Sequence, residues 1–211
     1  MMFGSHNTFS YAKPKHWFMY PFAFMARCQR IDWKKQYILH NIRVFDLRVW
    51  FDKDGFVQVR HGLMLYKLKL KDINKMLSYF NKKGDCYVRV ILESVKWTHS
   101  KHREEFAEKC FKNFCNNLVT GFPHIRFFGG NRKYDWKIIH RFPNPPITVI
   151  DKYSSTTSLF NSDNHYLRII DDWIPILYAK LRNKKNVDKY IRIHCTDYDT
   201  TCLLYDFIDI K

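Results

Sequence analysis

Short apolar runs alternate along this sequence with longer segments whose apolar residues recur at three- and four-residue spacing. The short runs are rich in β-branched and aromatic residues and predict strands, while the longer segments predict amphipathic helices. This alternation is typical of βα units, in which helices cover a mostly parallel sheet. The predicted strands are 2–6, 43–48, 57–60, 87–93, 125–128, 147–151 and 190–194. The predicted helices are 32–39, 71–80, 102–118 and 166–181.

The sequence predicts seven strands, and this number favours a barrel architecture. It is close to the eight strands of a (β/α)8 barrel, a fold that usually takes about 250 residues. Because this chain has 211 residues, we expect an α/β fold of the TIM-barrel type that is distorted or incomplete. Asp54 and Gly55 predict a hairpin turn between the second and third strands. The sequence has no internal repeat and no low-complexity linker, so a single domain over residues 1–211 is expected.

The chain is strongly basic, with 36 Lys and Arg against 20 Asp and Glu and a formal charge of +16. Such a surface concentrates anionic partners such as phospholipid headgroups or nucleic acid, although a lysine-rich proteome would also give ordinary soluble proteins this charge. No apolar run approaches the roughly 18 residues of a membrane-spanning helix, and the first residues lack a secretory signal pattern. The six cysteines show no zinc-finger spacing. As written, we expect a cytoplasmic or peripheral membrane protein of open oligomeric state.

Several polar residues stand at or just beyond the ends of predicted strands, where the working residues of a (β/α)8 barrel lie. These residues are His6, Arg48, Glu93, Lys152 and Asp197. A second histidine, His61, follows the third predicted strand. Two imidazoles can take and give a proton at a phosphate ester while a guanidinium neutralises its charge. The sequence therefore predicts a catalytic site for phosphodiester chemistry.

Three segments of the sequence resemble the motifs of one enzyme family. Residues 5–8 (Ser-His-Asn-Thr) resemble the first histidine motif of the phosphatidylinositol-specific phospholipase C catalytic domain. Residues 44–48 (Val-Phe-Asp-Leu-Arg) and 59–62 (Val-Arg-His-Gly) resemble its acidic strand and its second histidine motif. Beyond residue 97 the resemblance is thinner: 151–155 resembles a later strand end, and 196–205 resembles the last strand followed by a closing helix over 203–205.

The resemblance implies a distorted TIM barrel that cleaves phosphatidylinositol by attack of the inositol 2-hydroxyl, leaving diacylglycerol and a cyclic inositol phosphate. It implies that His6 is the general base and His61 the general acid. Asp197 would hold the His6 ring in its tautomer, as a carboxylate does in hydrolytic triads. Arg48 would contact the phosphoryl oxygens, and Asp46 would support His61 or Arg48. The substrate-binding residues implied in this way are Asn7, Glu93, Lys96, Lys152 and Tyr153, of which either Glu93 or Lys96 faces the site.

Arg48 also bears on the question of a metal. The calcium-dependent branch of the family has an acidic residue at this position, whereas the metal-independent bacterial branch has an arginine. The resemblance is therefore closer to the bacterial type, and we expect no metal and no cofactor. The alternative is Ca²⁺ held by oxygens of Asn7, Asp46 and Glu93, although an arginine beside them would repel the ion.

Residues 14–30 are almost continuously apolar and aromatic between basic flanks. They predict either a core helix or an interfacial element that inserts aromatic side chains among lipid headgroups. In the second case Trp17 and Phe18 are the predicted membrane contacts, and the partner is an anionic phospholipid surface.

Two rival functions remain open at the sequence level. One is an enzyme acting on other phosphodiesters, such as glycerophosphodiesters or RNA, although no aromatic-basic stacking motif for nucleic acid is present. The other is a catalytically inert, basic lipid-binding module, which would be expected to lose at least one of His6, His61, Arg48 and Asp197. Bacterial members of the family are typically exported, which leaves the localisation open.

Overall fold

The computed structural model describes residues 2–93, 100–131, 148–150, 183–184 and 201–210. The strands in these ranges are β1 (Met2–Ser5), β2 (Val44–Phe51), β3 (Val57–His61), β4 (Met64–Leu65), β5 (Tyr87–Leu92), β6 (Arg126–Asn131), β7 (Thr148–Ile150) and β8 (Thr201–Tyr205). The helices are α1 (Ala23–Ala26), α2 (Trp33–His40), α3 (Leu70–Lys83) and α4 (Lys101–Gly121), with 3-10 turns at Trp17–Phe22 and Ile208–Ile210. Within these ranges no helix is both long enough and apolar enough to cross a bilayer.

One mixed sheet organises the fold. Six strands run parallel in the order β7-β8-β1-β2-β5-β6, with Gly4 opposite Val44 and Phe3 opposite Leu203. The hairpin strand β3 pairs antiparallel with the second half of β2, and β4 pairs with β3. An α/β fold with a mainly parallel sheet is therefore confirmed. In the described part of the chain β6 and β7 are the outer strands of the parallel series, so closure into a barrel stays a prediction.

The helices pack on the sheet through aromatic side chains. The Asp32 carboxylate caps α2 by accepting from the backbone N–H groups of Lys34 and Lys35 at 2.9 and 3.0 Å. Phe80 of α3 stacks on Phe45 of β2 with ring centroids 4.2 Å apart. Since every residue of β2 is buried, this strand is the centre of the core, as expected for a parallel strand that is covered on both faces.

Most of the predicted helices and strands overlap elements of the structure. Three predicted helices and six predicted strands overlap α2, α3, α4, β1, β2, β3, β5, β6 and β7, and the predicted hairpin joins β2 to β3. The predicted helix 166–181 and strand 190–194 lie outside the described residues. The closing helix predicted over 203–205 is wrong, because Thr201–Tyr205 is strand β8.

The strand structure of residues 201–205 has a packing reason. Gly4 of β1 lies beside Leu204 and Cys202, and a Cβ on this glycine would clash with Leu204 Cδ2 and with Cys202 Sγ. The missing side chain lets the two strands pack closely, and Cys202 and Leu204 are fully or almost fully buried there. A helix over these residues would leave one edge of β1 without its parallel partner.

Candidate active site

The residues that follow β1 and β8 meet at the carboxyl end of the parallel sheet. The backbone N–H of His6 donates to the carbonyl oxygen of Tyr205 at 3.0 Å, which extends the β1–β8 ladder by one residue. His6 Nδ1 lies 2.7 Å from Asp206 Oδ1, and the two side chains are 2 % and 3 % exposed. Asp206 therefore occupies the position predicted for Asp197, which itself lies outside the described residues.

The partners of the His6 ring define its tautomer. Arg48 Nη2 lies 2.7 Å from His6 Nε2. Because a guanidinium only donates hydrogen bonds, Nε2 must carry a lone pair, and Nδ1 must carry the proton that is donated to Asp206. His6 is thus a neutral imidazole whose basic nitrogen is capped by an arginine. This arrangement suits a general base.

Two buried carboxylates fix the Arg48 guanidinium. Its Nε donates to Asp46 Oδ2 at 2.9 Å, and its Nη1 lies 3.4 Å from Glu93 Oε2. Asp46 Oδ2 also accepts from the backbone N–H of Asn7 at 3.0 Å, and Glu93 Oε1 accepts from that of Gly62 at 3.0 Å. The guanidinium thus lies between the oxygens that would otherwise be available to a cation.

The charge state of Asp46 follows from its surroundings. Burial alone would raise the pKa of this fully buried carboxyl. The positive charges of Arg48 and Arg89, together with the Asn7 N–H, outweigh that effect and hold the pKa below its usual value. Arg89 Nε lies 3.7 Å from Asp46 Oδ1, so the carboxylate has a guanidinium on each side.

His61 ends β3 and faces His6 edge-on, with ring centroids 6.1 Å apart and ring planes at 88°. Its Nδ1 lies 2.9 Å from the carbonyl oxygen of Ala26. A carbonyl only accepts, so Nδ1 bears a proton. Burial and the charge of Arg48 lower the pKa of His61 to about 3. In the free protein at neutral pH this ring is therefore uncharged, and its Nε2 has no proton to give.

Asn7 adopts a left-handed backbone conformation with φ +46°, which asparagine tolerates better than most residues. Its side chain is buried, and neither Oδ1 nor Nδ2 has a hydrogen-bond partner. An unpaired buried amide costs about 1–3 kcal/mol. Because Asn7 lies at a strand end next to His6, its unpaired side-chain amide is suited to hydrogen-bond a bound ligand.

Sequence reasoning missed the residues that hold these segments together. Gln29 Nε2 donates to the carbonyl oxygens of His6 and Tyr205 at 3.0 and 2.8 Å, and Asn183 Nδ2 donates to that of Asp206 at 2.8 Å. The side-chain atoms of Cys28, His6 and Asp206 that could bind a metal lie within 4.8 Å of one another. Asp206 could have been predicted from the sequence, because residues 201–205 form a short apolar run typical of a strand and an aspartate follows that run directly. Gln29 and Asn183 carry no such signal.

The structure thus brings together six of the predicted residues. They are His6, Asn7, Asp46, Arg48, His61 and Glu93. Four other predicted site residues lie outside the described ranges: Lys96, Lys152, Tyr153 and Asp197.

The aromatic segment after the first motif is a surface element. Trp17 is 82 % exposed and Phe18 54 %, and Tyr20, Phe22 and Phe24 are each about half exposed. The alternative of a core helix is wrong for Trp17–Phe22, because no residue of this 3-10 turn is buried. A proline at position 21 and the bulky aromatic side chains are poorly suited to a continuous α-helix.

Comparison with known proteins gives a fold and no close relative. No family model and no curated protein matches this chain. Three variant structures of phosphatidylinositol-specific phospholipase C from Staphylococcus aureus match 98 % of it. The first, with pentafluoro-Phe incorporated, has a TM-score of 0.52 at 15 % identity and is covered over 89 % of its length. A double mutant has a TM-score of 0.53 at 14 % identity and 88 % coverage. A variant altered at a phenylalanine position has a TM-score of 0.54 at 14 % identity and 89 % coverage. The fold is therefore similar to that of a bacterial phospholipase C.

Proposed function

We propose that this protein is a phospholipase C-like phosphodiesterase that cleaves phosphatidylinositol-type lipids to diacylglycerol and a cyclic inositol phosphate. The observation that carries the proposal is the His6 ring, with a protonated Nδ1 bound to Asp206 and a basic Nε2 beside the Arg48 guanidinium. A base and a fixed positive charge at one point are what attack of a hydroxyl on a phosphodiester requires. The similarity in fold to a bacterial phospholipase C supports the choice of substrate.

In the proposed reaction Arg48 changes partners. An incoming phosphodiester carries a negative charge that attracts the guanidinium more strongly than neutral imidazole does. As Nη2 moves to a phosphoryl oxygen, His6 Nε2 is freed to take the proton of the inositol 2-hydroxyl. The hydroxyl oxygen then bonds to phosphorus, and the bond from phosphorus to the diacylglycerol oxygen breaks. Asp206 stabilises the imidazolium that forms.

His61 is the proposed general acid, and it must first be charged. The phosphodiester brings a negative charge beside a ring whose pKa is held low by burial and by Arg48. An opposite charge nearby raises the pKa of a histidine, so substrate binding favours uptake of a proton from solvent. The resulting Nε2–H can then protonate the departing diacylglycerol oxygen.

We propose that the reaction proceeds without a metal. Oδ2 of Asp46 and both carboxylate oxygens of Glu93 already accept from Arg48, Asn7 and Gly62, and the Arg89 guanidinium lies 3.7 Å from Asp46 Oδ1. The alternative, Ca²⁺ held by Asn7, Asp46 and Glu93, requires the guanidinium to leave both carboxylates. A calcium chelator distinguishes the two, because only the second reaction stops when the ion is removed.

The proposal extends to parts of the site beyond the described residues. Lys96, Lys152 and Tyr153 are proposed substrate contacts, with Lys152 and Tyr153 lining the inositol pocket. The role of orienting the His6 ring, predicted for Asp197, is assigned to Asp206 in this proposal. The sheet is proposed to close into a distorted barrel. At the rim, Trp17 and Phe18 are proposed to contact an anionic phospholipid surface.

The deciding experiment is product analysis on phosphatidylinositol vesicles, with and without a calcium chelator. We expect a cyclic inositol phosphate in both cases. His6→Asn, His61→Asn and the double variant should each lose at least about a hundredfold in rate, whereas His124→Asn, at an exposed position, should keep the wild-type rate.

Headgroup release that persists in the double variant would refute the mechanism. A wild-type protein that binds the vesicles without releasing any product would support the inert module, and cleavage of RNA or glycerophosphodiesters alone would change the substrate.

A further inference from the structure

A thiol lies directly behind the proposed base. Cys28 is fully buried, and its sulfur, a ring nitrogen of His6 and a carboxylate oxygen of Asp206 all lie within 4.8 Å of one another. His6 Nδ1 is the nitrogen that faces Asp206, at 2.7 Å. In the part of the chain that the structure describes, this is the one group of three or more His, Cys, Asp or Glu side chains close enough to bind an ion together.

The backbone holds these three side chains in place. His6 N–H donates to Tyr205 O at 3.0 Å, and Phe207 N–H donates to Cys28 O at 2.6 Å. The backbone N–H of Cys28 donates to Ser10 Oγ at 3.0 Å. The segments around residues 6, 28 and 206 are therefore tied to one another on both sides of the cluster, and the ligand atoms are pre-organised before any ion arrives.

The donor set is that of a borderline-soft divalent ion. An imidazole nitrogen, a thiolate and a carboxylate oxygen are the protein ligands of Zn²⁺, with bond lengths of about 2.0–2.3 Å. Tetrahedral coordination at those lengths separates the ligand atoms by roughly 3.3–3.8 Å, so the cluster needs to adjust by only about 1 Å. A thiolate and a carboxylate also balance the two charges of the ion in a buried place, which limits the desolvation cost.

We propose that His6, Cys28 and Asp206 form an inhibitory site for Zn²⁺ and similar thiophilic divalent ions. Binding releases the thiol proton of Cys28 and replaces the proton on His6 Nδ1 by the metal. The imidazole stays neutral by carrying its proton on Nε2, which is the nitrogen that must accept the substrate proton. Because Arg48 Nη2 lies 2.7 Å from Nε2 and also donates, the guanidinium must turn away from this nitrogen, toward Asp46 and Glu93, when the metal binds. The metal therefore switches the tautomer of the base from the side of the ring opposite to Arg48. The inhibition rests on the proposed function, but the binding does not.

Binding can be tested without any activity. After treatment with a chelator and overnight preincubation, one equivalent of Cd²⁺ should give the ultraviolet charge-transfer band of a cadmium–thiolate bond and release about one proton. Cys28→Ser should lose the band, whereas Cys110→Ser, which removes a thiol on α4, should keep it. If Cys28→Ser does not fold, Asp206→Asn provides the test. Its affinity for Cd²⁺ should be at least about tenfold weaker, because losing even a residue that only supports a metal ligand weakens binding by about 10–100-fold.

Inhibition is tested separately on phosphatidylinositol vesicles. Zn²⁺ should inhibit the wild type, whereas Mg²⁺ and Ca²⁺ should not. With the rate of each protein expressed as a fraction of its own metal-free rate, the Zn²⁺ concentration for half inhibition should be at least about tenfold higher in Cys28→Ser than in the wild type. A band that is absent in the wild type, or that persists in Cys28→Ser, would overturn the site. A band without lipid cleavage in any sample would leave the metal site standing and refute the proposed function instead.

Discussion

At the level of single residues, Arg48 contacts three side chains of the candidate site. It caps the base nitrogen of His6 and binds the carboxylates of Asp46 and Glu93. Arginine suits this place because its planar fork offers five donors in fixed directions, which a lysine ammonium does not. The same charge lowers the pKa of His61. In the proposed reaction one guanidinium thus couples the two histidines, since its movement toward a phosphate would free one ring and favour protonation of the other.

This coupling predicts how His61 titrates. In the free protein its NMR signals should stay those of a neutral imidazole down to about pH 5, because its pKa is lowered to about 3. A bound inositol phosphate should raise that pKa by at least about one unit. Arg48→Gln should raise the pKa of His61 without any ligand, since it removes a positive charge that faces the ring. Ordinary titration of His61 in the free wild type, with no change on adding the ligand, would contradict the proposed uptake of a proton.

At the level of elements, the sequence pattern predicts strands and helices better than it predicts which residues they bring together. Residues 44–51 and 87–92 are mostly apolar runs, and both form strands, the first buried at every residue and the second at four of its six. Strand β8 is harder to predict, because a run of five residues fits a strand as well as a helical turn until its pairing partner is known. Asp206 was missed for this reason. The hydrogen bonds of Gln29 connect residues far apart in sequence, which no local pattern reports.

The 3-10 turn Trp17–Phe22 carries a prediction of its own. Trp17→Ala and Phe18→Ala should weaken sedimentation with phosphatidylinositol vesicles several-fold, because each removes an exposed aromatic ring that is available to the lipid interface. Cleavage of a soluble phosphodiester substrate should stay at the wild-type rate. The matched control is Phe56→Ala, which removes a ring that is 67 % exposed beside the β2–β3 turn. Equal losses on both substrates would show that Trp17 and Phe18 are structural.

At the level of the whole molecule, a similar fold is reached with little shared sequence. Identity to the Staphylococcus aureus structures is 14–15 %, yet the match covers 98 % of this chain. Cores accept many apolar sequences when volume and pattern are kept, so the fold can persist where most residues differ. The net charge of +16 belongs to the same scale, since it acts through the field of the whole surface and would add to attraction by anionic lipid.

The groups of the site whose pKa values are lowered also predict how the stability of the molecule depends on pH. Unfolded, His61 takes up a proton near its ordinary pKa of about 6.5, whereas in the folded protein its pKa is about 3. The stability it contributes is therefore complete above pH 6.5 and is lost as the pH falls toward 3, on the order of 1–2 kcal/mol between pH 6.5 and 5. Asp46, whose pKa is also lowered, adds a loss of the same sign that begins only near pH 4.

Thermal unfolding of the wild type and of His61→Asn at pH 7 and pH 5 separates these contributions. The asparagine amide nitrogen can replace Nδ1 as a donor to the Ala26 carbonyl, but the side chain does not titrate. The fall in Tm from pH 7 to pH 5 should therefore be smaller in His61→Asn by several degrees, since 1 kcal/mol shifts the Tm of a domain of this size by about 2–4 °C. His124→Asn should show the wild-type fall. If His61→Asn loses as much Tm as the wild type, then proton uptake by unfolded His61 is not what destabilises the protein in acid, and the ring must be able to charge while the site stays folded.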